Sequence, residues 1–263
     1  VYVCQLPFRI MAVYYCWKGI SQKRVVDLIL FGISSALGFL THYSFIFLLI
    51  SLLAYYLFLI LKKKIKVRRI FFIPLIIFFI LLLPHIFWLI QNDFITIFYA
   101  MDRTGLEESN LLNHLKNPVI FIFKQMGILS LIILIFFLIL ENNRKKIKIK
   151  FTDKKFLFLS SVNILPILII LIISILTGAK IRTMWMSTFY LFFGLLFFYY
   201  LKNIINLNKI KNFLFTICFL FFLSPITYLY VSISNDFKRT DFPGKEIARL
   251  VQNKWNDNFN NEI

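Results

Sequence analysis

The chain has 263 residues, 60% of them hydrophobic and 19% aromatic, with a mean hydropathy of +0.79; this composition excludes an ordinary soluble domain and reads as a polytopic membrane protein. The formal charge of +18 sits mostly in short segments between apolar stretches, where anionic lipid headgroups account for it and no nucleic-acid partner is implied.

Apolar stretches run over 6–17, 25–40, 43–61, 70–90, 119–140, 156–177, 184–201 and 213–231, and a helix needs ~20 such residues to cross a bilayer. The first two are short, and Pro7 with Arg9 makes the first read as a trimmed helix. In the second, Gly32, Ser35, Ala36 and Gly38 recur near one-turn spacing, which lets another helix approach closely. The connections at 18–24, 62–69, 141–155 and 202–211 hold 19 of the 30 basic residues, so they are expected on the cytoplasmic side. Nine of the twelve carboxylates, Asp93, Asp102, Glu107, Glu108, Asp236, Asp241, Glu246, Asp257 and Glu262, fall on the other side. Eight crossings satisfy this alternation. The expected fold is an all-α polytopic transmembrane bundle of about eight spans in the inner cell membrane. Residues 1–231 form the spanning region, and 232–263 an extracytoplasmic tail that begins a truncated C-terminal region.

No cleavable signal peptide is recognisable, and the start at Val1 in place of Met leads to the expectation of a fragment. Cys4, Cys16 and Cys218 show no metal-ligand spacing and read as small apolar fillers. The connection at 91–118 carries Asp93 and the charged stretch 102–108, and its length predicts a lid or surface helix. Beyond the last stretch, Phe242-Pro243-Gly244 reads as a turn. Ile247, Ala248, Val251 and Trp255 then recur at helical spacing and predict an amphipathic helix outside the membrane.

Arg9, His85 and Lys124 lie inside apolar stretches, where ionisable side chains are costly. The alternation puts all three near the outer face, at the depth of His42, Lys180 and Arg182. Such a group, with no carboxylate among it, suits an anion at the lipid boundary, and a lipid-linked phosphate is the natural candidate. Two plainer readings stay open. Long basic side chains snorkel to headgroups, and His85 fits a packed histidine bonded to a neighbouring helix. No metal site is expected. A transporter or flippase would show charge through the full depth, whereas here Asn163 and Pro166 are the main interruption at mid-depth.

Several segments carry a family resemblance. Leu37-Gly38-Phe39-Leu40-Thr41-His42-Tyr43-Ser44 resembles the LGxLTKY segment of the family 39 glycosyltransferases. These are of GT-C type and include protein mannosyltransferases and the lipid A aminoarabinose transferase. Pro84-His85 with Trp88 and Asn92-Asp93-Phe94, Gln125-Met126-Gly127, Thr177 to Arg182 with Trp185, and Asp241 to Glu246 are similar to further segments of that family. The resemblance implies a GT-C-like bundle that moves a sugar from a polyprenyl-phosphate donor to a glycolipid or protein acceptor outside the membrane, with no cofactor beyond the donor. It implies inversion at the anomeric centre, a carboxylate base, and cations on the departing phosphate, for which Lys180, Arg182, Lys124 and Arg9 are the candidates, with His42 and His85 beside them. The family's acidic residues lie in a first outer loop, expected upstream of Val1. His42 stands where the family segment has Lys. An inactive truncated remnant is the further alternative.

Overall fold

A computed structural model describes residues 2–105, 110–140, 152–234 and 243–259. Glu107, Glu108, Asp236, Asp241, Phe242 and Glu262, with most of the 141–155 connection, lie outside the described residues. The described chain is helical and forms an all-α bundle of membrane type. Two compact units are distinguished, 1–207 and 208–263.

In the first unit the helices are α1 (Tyr2–Gln22), α2 (Val25–Thr41), α3 (Phe45–Leu61), α4 (Ile73–Gln91), α5 (Ile95–Thr104), α6 (Asn113–Phe137), α7 (Lys154–Thr177) and α8 (Phe193–Leu201). α4 and α7 are long and apolar enough to cross a bilayer, and so is α6. α2 and α3 are apolar but only 17 residues each, about 25 Å of helix. All eight expected stretches fold as helix, with three differences. The first is longer than its apolar stretch: α1 runs from Tyr2 to Gln22 and carries Pro7 internally. The fifth begins six residues early, with Pro118 inside α6. The seventh is broken, because Thr183–Tyr190 is a 3-10 segment that meets α8 at a 48° bend. Its Met186 and Phe189 are three residues apart, which is the 3-10 repeat, and both are buried in one apolar cluster with Phe121 and Ile170.

The small residues of α2 act as expected. A Cβ on Gly32 would lie 2.9 Å from the Pro74 carbonyl oxygen of α4, and one on Gly38 would lie 2.3 Å from the Phe45 ring of α3. α2 therefore packs backbone-close on α4. The main core joins Ala12, Val13 and Cys16 of α1 to Leu48, Leu52 and Tyr55 of α3 and Phe158 and Val162 of α7. Near the basic connections, Lys18 and the buried Asp27 pair at 3.4 Å across α1 and α2.

Asp153 caps α7 by accepting a hydrogen bond from the Lys155 N–H at 3.0 Å, and it also accepts one from the Tyr199 hydroxyl of α8. The Tyr199 hydrogen bond holds its carboxyl below the usual aspartate range. Replacing Asp153 by alanine removes the cap and the tie between α7 and α8 together. The expected loss is about 1 kcal/mol from the cap alone, read as a lowered midpoint in thermal unfolding in detergent micelles.

In the second unit, α9 (Ile210–Ser234) is part of a helical stretch long and apolar enough to cross a bilayer. α10 (Gly244–Phe259) is the expected amphipathic helix, with Ile247, Val251 and Trp255 all exposed.

Candidate functional site

At the end of the first unit away from the basic connections lies a cavity of about 830 Å³. Its walls come from the start of α1 (Tyr2), the α2–α3 turn (His42 to Ser44), the end of α4 (His85, Trp88), one side of α5 (Thr96, Tyr99, Arg103), and the α7 end with the 3-10 segment that follows (Thr177, Trp185, Phe189). Among the described residues no carboxylate lines it.

The chain turns back from α4 into α5 through Asp93 and Phe94, both left-handed at φ 49° and 54°, a costly conformation for side chains with a Cβ. That reversal lays α5 along the cavity. α5 is held at both ends. Near its start, the Tyr43 hydroxyl lies 2.8 Å from Thr96 Oγ1 and 2.8 Å from His85 Nε2. At its end, the Lys180 backbone N–H donates to the Thr104 carbonyl at 2.9 Å. The expected lid or surface helix is thus present and forms a wall of the cavity.

The turn after α7 is built by Gly178, left-handed at φ 68°, which ends the helix by donating to the Ser174 carbonyl. Asn117 of α6 donates to the Gly178 carbonyl at 2.6 Å, and the Ser174 hydroxyl to that of Ala179 at 2.8 Å. These bonds set the backbone that carries Lys180 and Arg182.

The six expected site residues separate on inspection. His42 and His85 line the cavity. His85 bonds to Tyr43 and stacks on Trp88 with ring centroids 5.8 Å apart, the arrangement of a packed histidine. Arg182 lies within electrostatic reach of the Tyr2 phenol, while the Lys180 side chain is exposed beside the tether to α5. Arg9 is only 2% exposed. Its guanidinium lies 4.0 Å from the Phe189 ring centroid, beneath the cavity wall, and its Nε donates to Gln5 Oε1 at 3.1 Å. Gln5 in turn donates to the His42 carbonyl at 3.0 Å. Lys124 is an exposed residue of α6 and does not line the cavity. Its neighbour Gln125 points inward instead, with both amide atoms lacking a protein partner. Arg103, which sequence reasoning left among the charged residues of a loop, is in the wall and lies within reach of Tyr2, as Arg182 does. Its signal was helical spacing, since Thr96, Tyr99 and Arg103 fall on one face of α5.

His42 Nδ1 accepts the Ser44 backbone N–H at 3.1 Å, which leaves Nε2 as the nitrogen available to a ligand. Burial, and then the charge of Arg9, push its pKa below 6.5. His42 is therefore neutral at pH 7, a hydrogen-bond donor where a lysine would be a cation. The unfolded chain binds a proton at this residue at higher pH than the folded one does. Stability is thus unaffected above pH ~6.5 and falls as pH drops below it toward the folded pKa. Thermal unfolding of the parent and of His42→Gln across pH 7.5 to 5 is expected to show this loss in the parent and a smaller one in the variant.

Residues 3–88 match the family model described as dolichyl-phosphate-mannose-protein mannosyltransferase. No curated protein and no solved structure matches the chain. The matched residues take in Gln5, Arg9, His42, Tyr43, His85 and Trp88; Arg103, Lys124, Lys180 and Arg182 lie beyond them. The match supports the resemblance to GT-C glycosyltransferases, at the level of a membrane enzyme of that general kind.

Proposed function

We propose that this chain is part of a membrane glycosyltransferase that takes a polyprenyl-phosphate-linked sugar into the 830 Å³ cavity and passes the sugar to a glycolipid or protein acceptor on the extracytoplasmic side of the inner membrane. The observation that carries this reading is the composition of the cavity. Its walls are apolar and aromatic with Arg103 among them, Arg182 lies outside the walls but within electrostatic reach of Tyr2, and no described carboxylate lines the cavity.

In the proposed reaction an acceptor oxygen attacks the anomeric carbon while the bond from that carbon to the phosphate oxygen breaks. The proton of the acceptor passes to a carboxylate base, and the electron pair of the broken bond stays on the departing phosphate. Guanidinium groups suit that phosphate because they offer paired donors and fixed charge where negative charge develops. Aromatic rings such as Trp88, Tyr99 and Trp185 suit the faces of a sugar or an isoprenoid. The cavity supplies the binding half of this chemistry. The reaction also needs a carboxylate base, and among the described residues none lines the cavity. Lys124 fits snorkelling better than phosphate binding, and Arg9 fits support of Phe189 and the His42 turn.

Radiolabelled sugar transfer from polyprenyl-phosphate donors in membranes tests the proposal, run for this chain and for a version extended upstream. Transfer by the extended version, lost in Arg182→Ala or Lys180→Ala, is the expected result. Unchanged donor binding and turnover in both variants would remove these two residues from the site. No transfer by either version would favour a transporter or an inactive remnant.

A further inference from the structure

A second cavity, of about 580 Å³, has no part in this reading. α4 packs on α2, while α3 packs mainly on α7, and the space between α3 and α4 is left open. One wall is α3 from Ile46 to Ile60 and the other is α4 from Pro74 to Phe79, with Phe31 and Ser35 of α2 between them. Leu53, Leu57, Leu75 and Phe79 in these walls are about half exposed. The hydroxyls of Ser35 and Tyr56 also lie in the walls, buried and with no protein partner.

At the basic end the groove opens beside the α3–α4 connection, whose Val67 lines it. That connection carries Lys62, Lys63, Lys64, Lys66, Arg68 and Arg69, and no carboxylate occurs anywhere between Asp27 and Asp93. An apolar slot with a cationic mouth fits one kind of bilayer molecule: a fatty chain ending in an anionic head. We propose that this groove is a binding site for an acidic phospholipid of the cytoplasmic leaflet, with one acyl chain between α3 and α4 and the phosphate among Lys62 to Arg69. The groove shares Ile46 with the donor cavity, but its cationic mouth lies at the opposite end of α3. Neutral lipids gain only the apolar part of this fit, so headgroup charge sets the preference, by roughly fivefold for each basic residue engaged.

The test uses the purified chain in phosphatidylcholine vesicles containing a phosphatidylglycerol or a phosphatidylcholine that carries a photoreactive group in its acyl chain. The labelled peptides are read by mass spectrometry. The expected result is labelling of α3 and of the first half of α4, at least about fivefold stronger from the glycerol lipid. Leu53→Trp with Leu57→Trp should reduce it to background, because both side chains are surface-exposed yet fill the slot. Lys62, Lys63, Lys64, Lys66, Arg68 and Arg69, changed together to Gln, should bring the two lipids to equal labelling with far-UV circular dichroism unchanged; this arm holds even if the tryptophan variant fails to fold. Equal labelling of the parent by both lipids would overturn the proposal. So would displacement of the label by polyprenyl phosphate in preference to phosphatidylglycerol, or capture of Leu57→Cys by a cysteine placed in α9.

Discussion

Replacing Arg103 by alanine is expected to weaken binding of a polyprenyl-phosphate donor by roughly 10- to 100-fold, the range of a hydrogen bond to a charged group. Arg103 is an exposed residue of a helix with no buried residues, so its removal leaves no hole in the core. Arg103→Lys separates charge from geometry: a lysine keeps the charge but loses the paired donors, and is expected to recover only part of the affinity. The measurement is donor binding by the purified chain, which does not require the catalytic base. Equal affinity of parent and Arg103→Ala would place the phosphate elsewhere. Arg103 and Arg182 share Tyr2 as a neighbour, so the double variant is expected to lose less than the two single losses combined.

The second large effect concerns packing. Gly32→Leu is expected to destabilise the bundle by about 1–3 kcal/mol or more, since even its Cβ would lie 3.0 Å from Pro74 Cα and 2.9 Å from that residue's carbonyl oxygen. Backbone atoms cannot swing aside, so α2 and α4 must separate. Gly38→Ala meets a ring instead, that of the fully buried Phe45, which also lies 5.5 Å from the Arg9 guanidinium. Ring rotation relieves part of that overlap, so Gly38→Ala is expected to cost less than Gly32→Leu while disturbing the layer beneath the cavity. Thermal unfolding in micelles ranks the two variants; the reverse order would mean that the α2–α4 seam yields more easily than the Phe45 pocket.

The helices themselves were legible because their cause is local. Without water in the bilayer core, each backbone group must find its partner within the segment, so apolar length forces helix. The break at the seventh stretch was not legible because no proline or glycine marks it between Thr183 and Phe193. The 3-10 turn follows from what Met186 and Phe189 pack against, which composition does not encode. The α10 helix was legible for a different reason, the helical spacing of Ile247, Val251 and Trp255 in an otherwise polar segment.

The candidate site was only half legible. Depth in the membrane follows from position along an apolar stretch, and on that basis Arg9, His42, His85, Lys124, Lys180 and Arg182 belong together. Direction around each helix does not follow from depth. Successive residues are about 100° apart, so Lys124 faces outward while Gln125 is buried, at nearly one depth. Arg9 likewise has the expected depth but turns into the bundle under Phe189. Arg103 enters the wall because two left-handed residues fold α5 back and two hydrogen bonds hold it there. The sequence by itself therefore determined class, helices and the two differently charged faces, all set by transfer from water to lipid. Only the tertiary structure decided which cations share a cavity, because that depends on helix rotation and chain reversal, and both are fixed by contacts between distant residues.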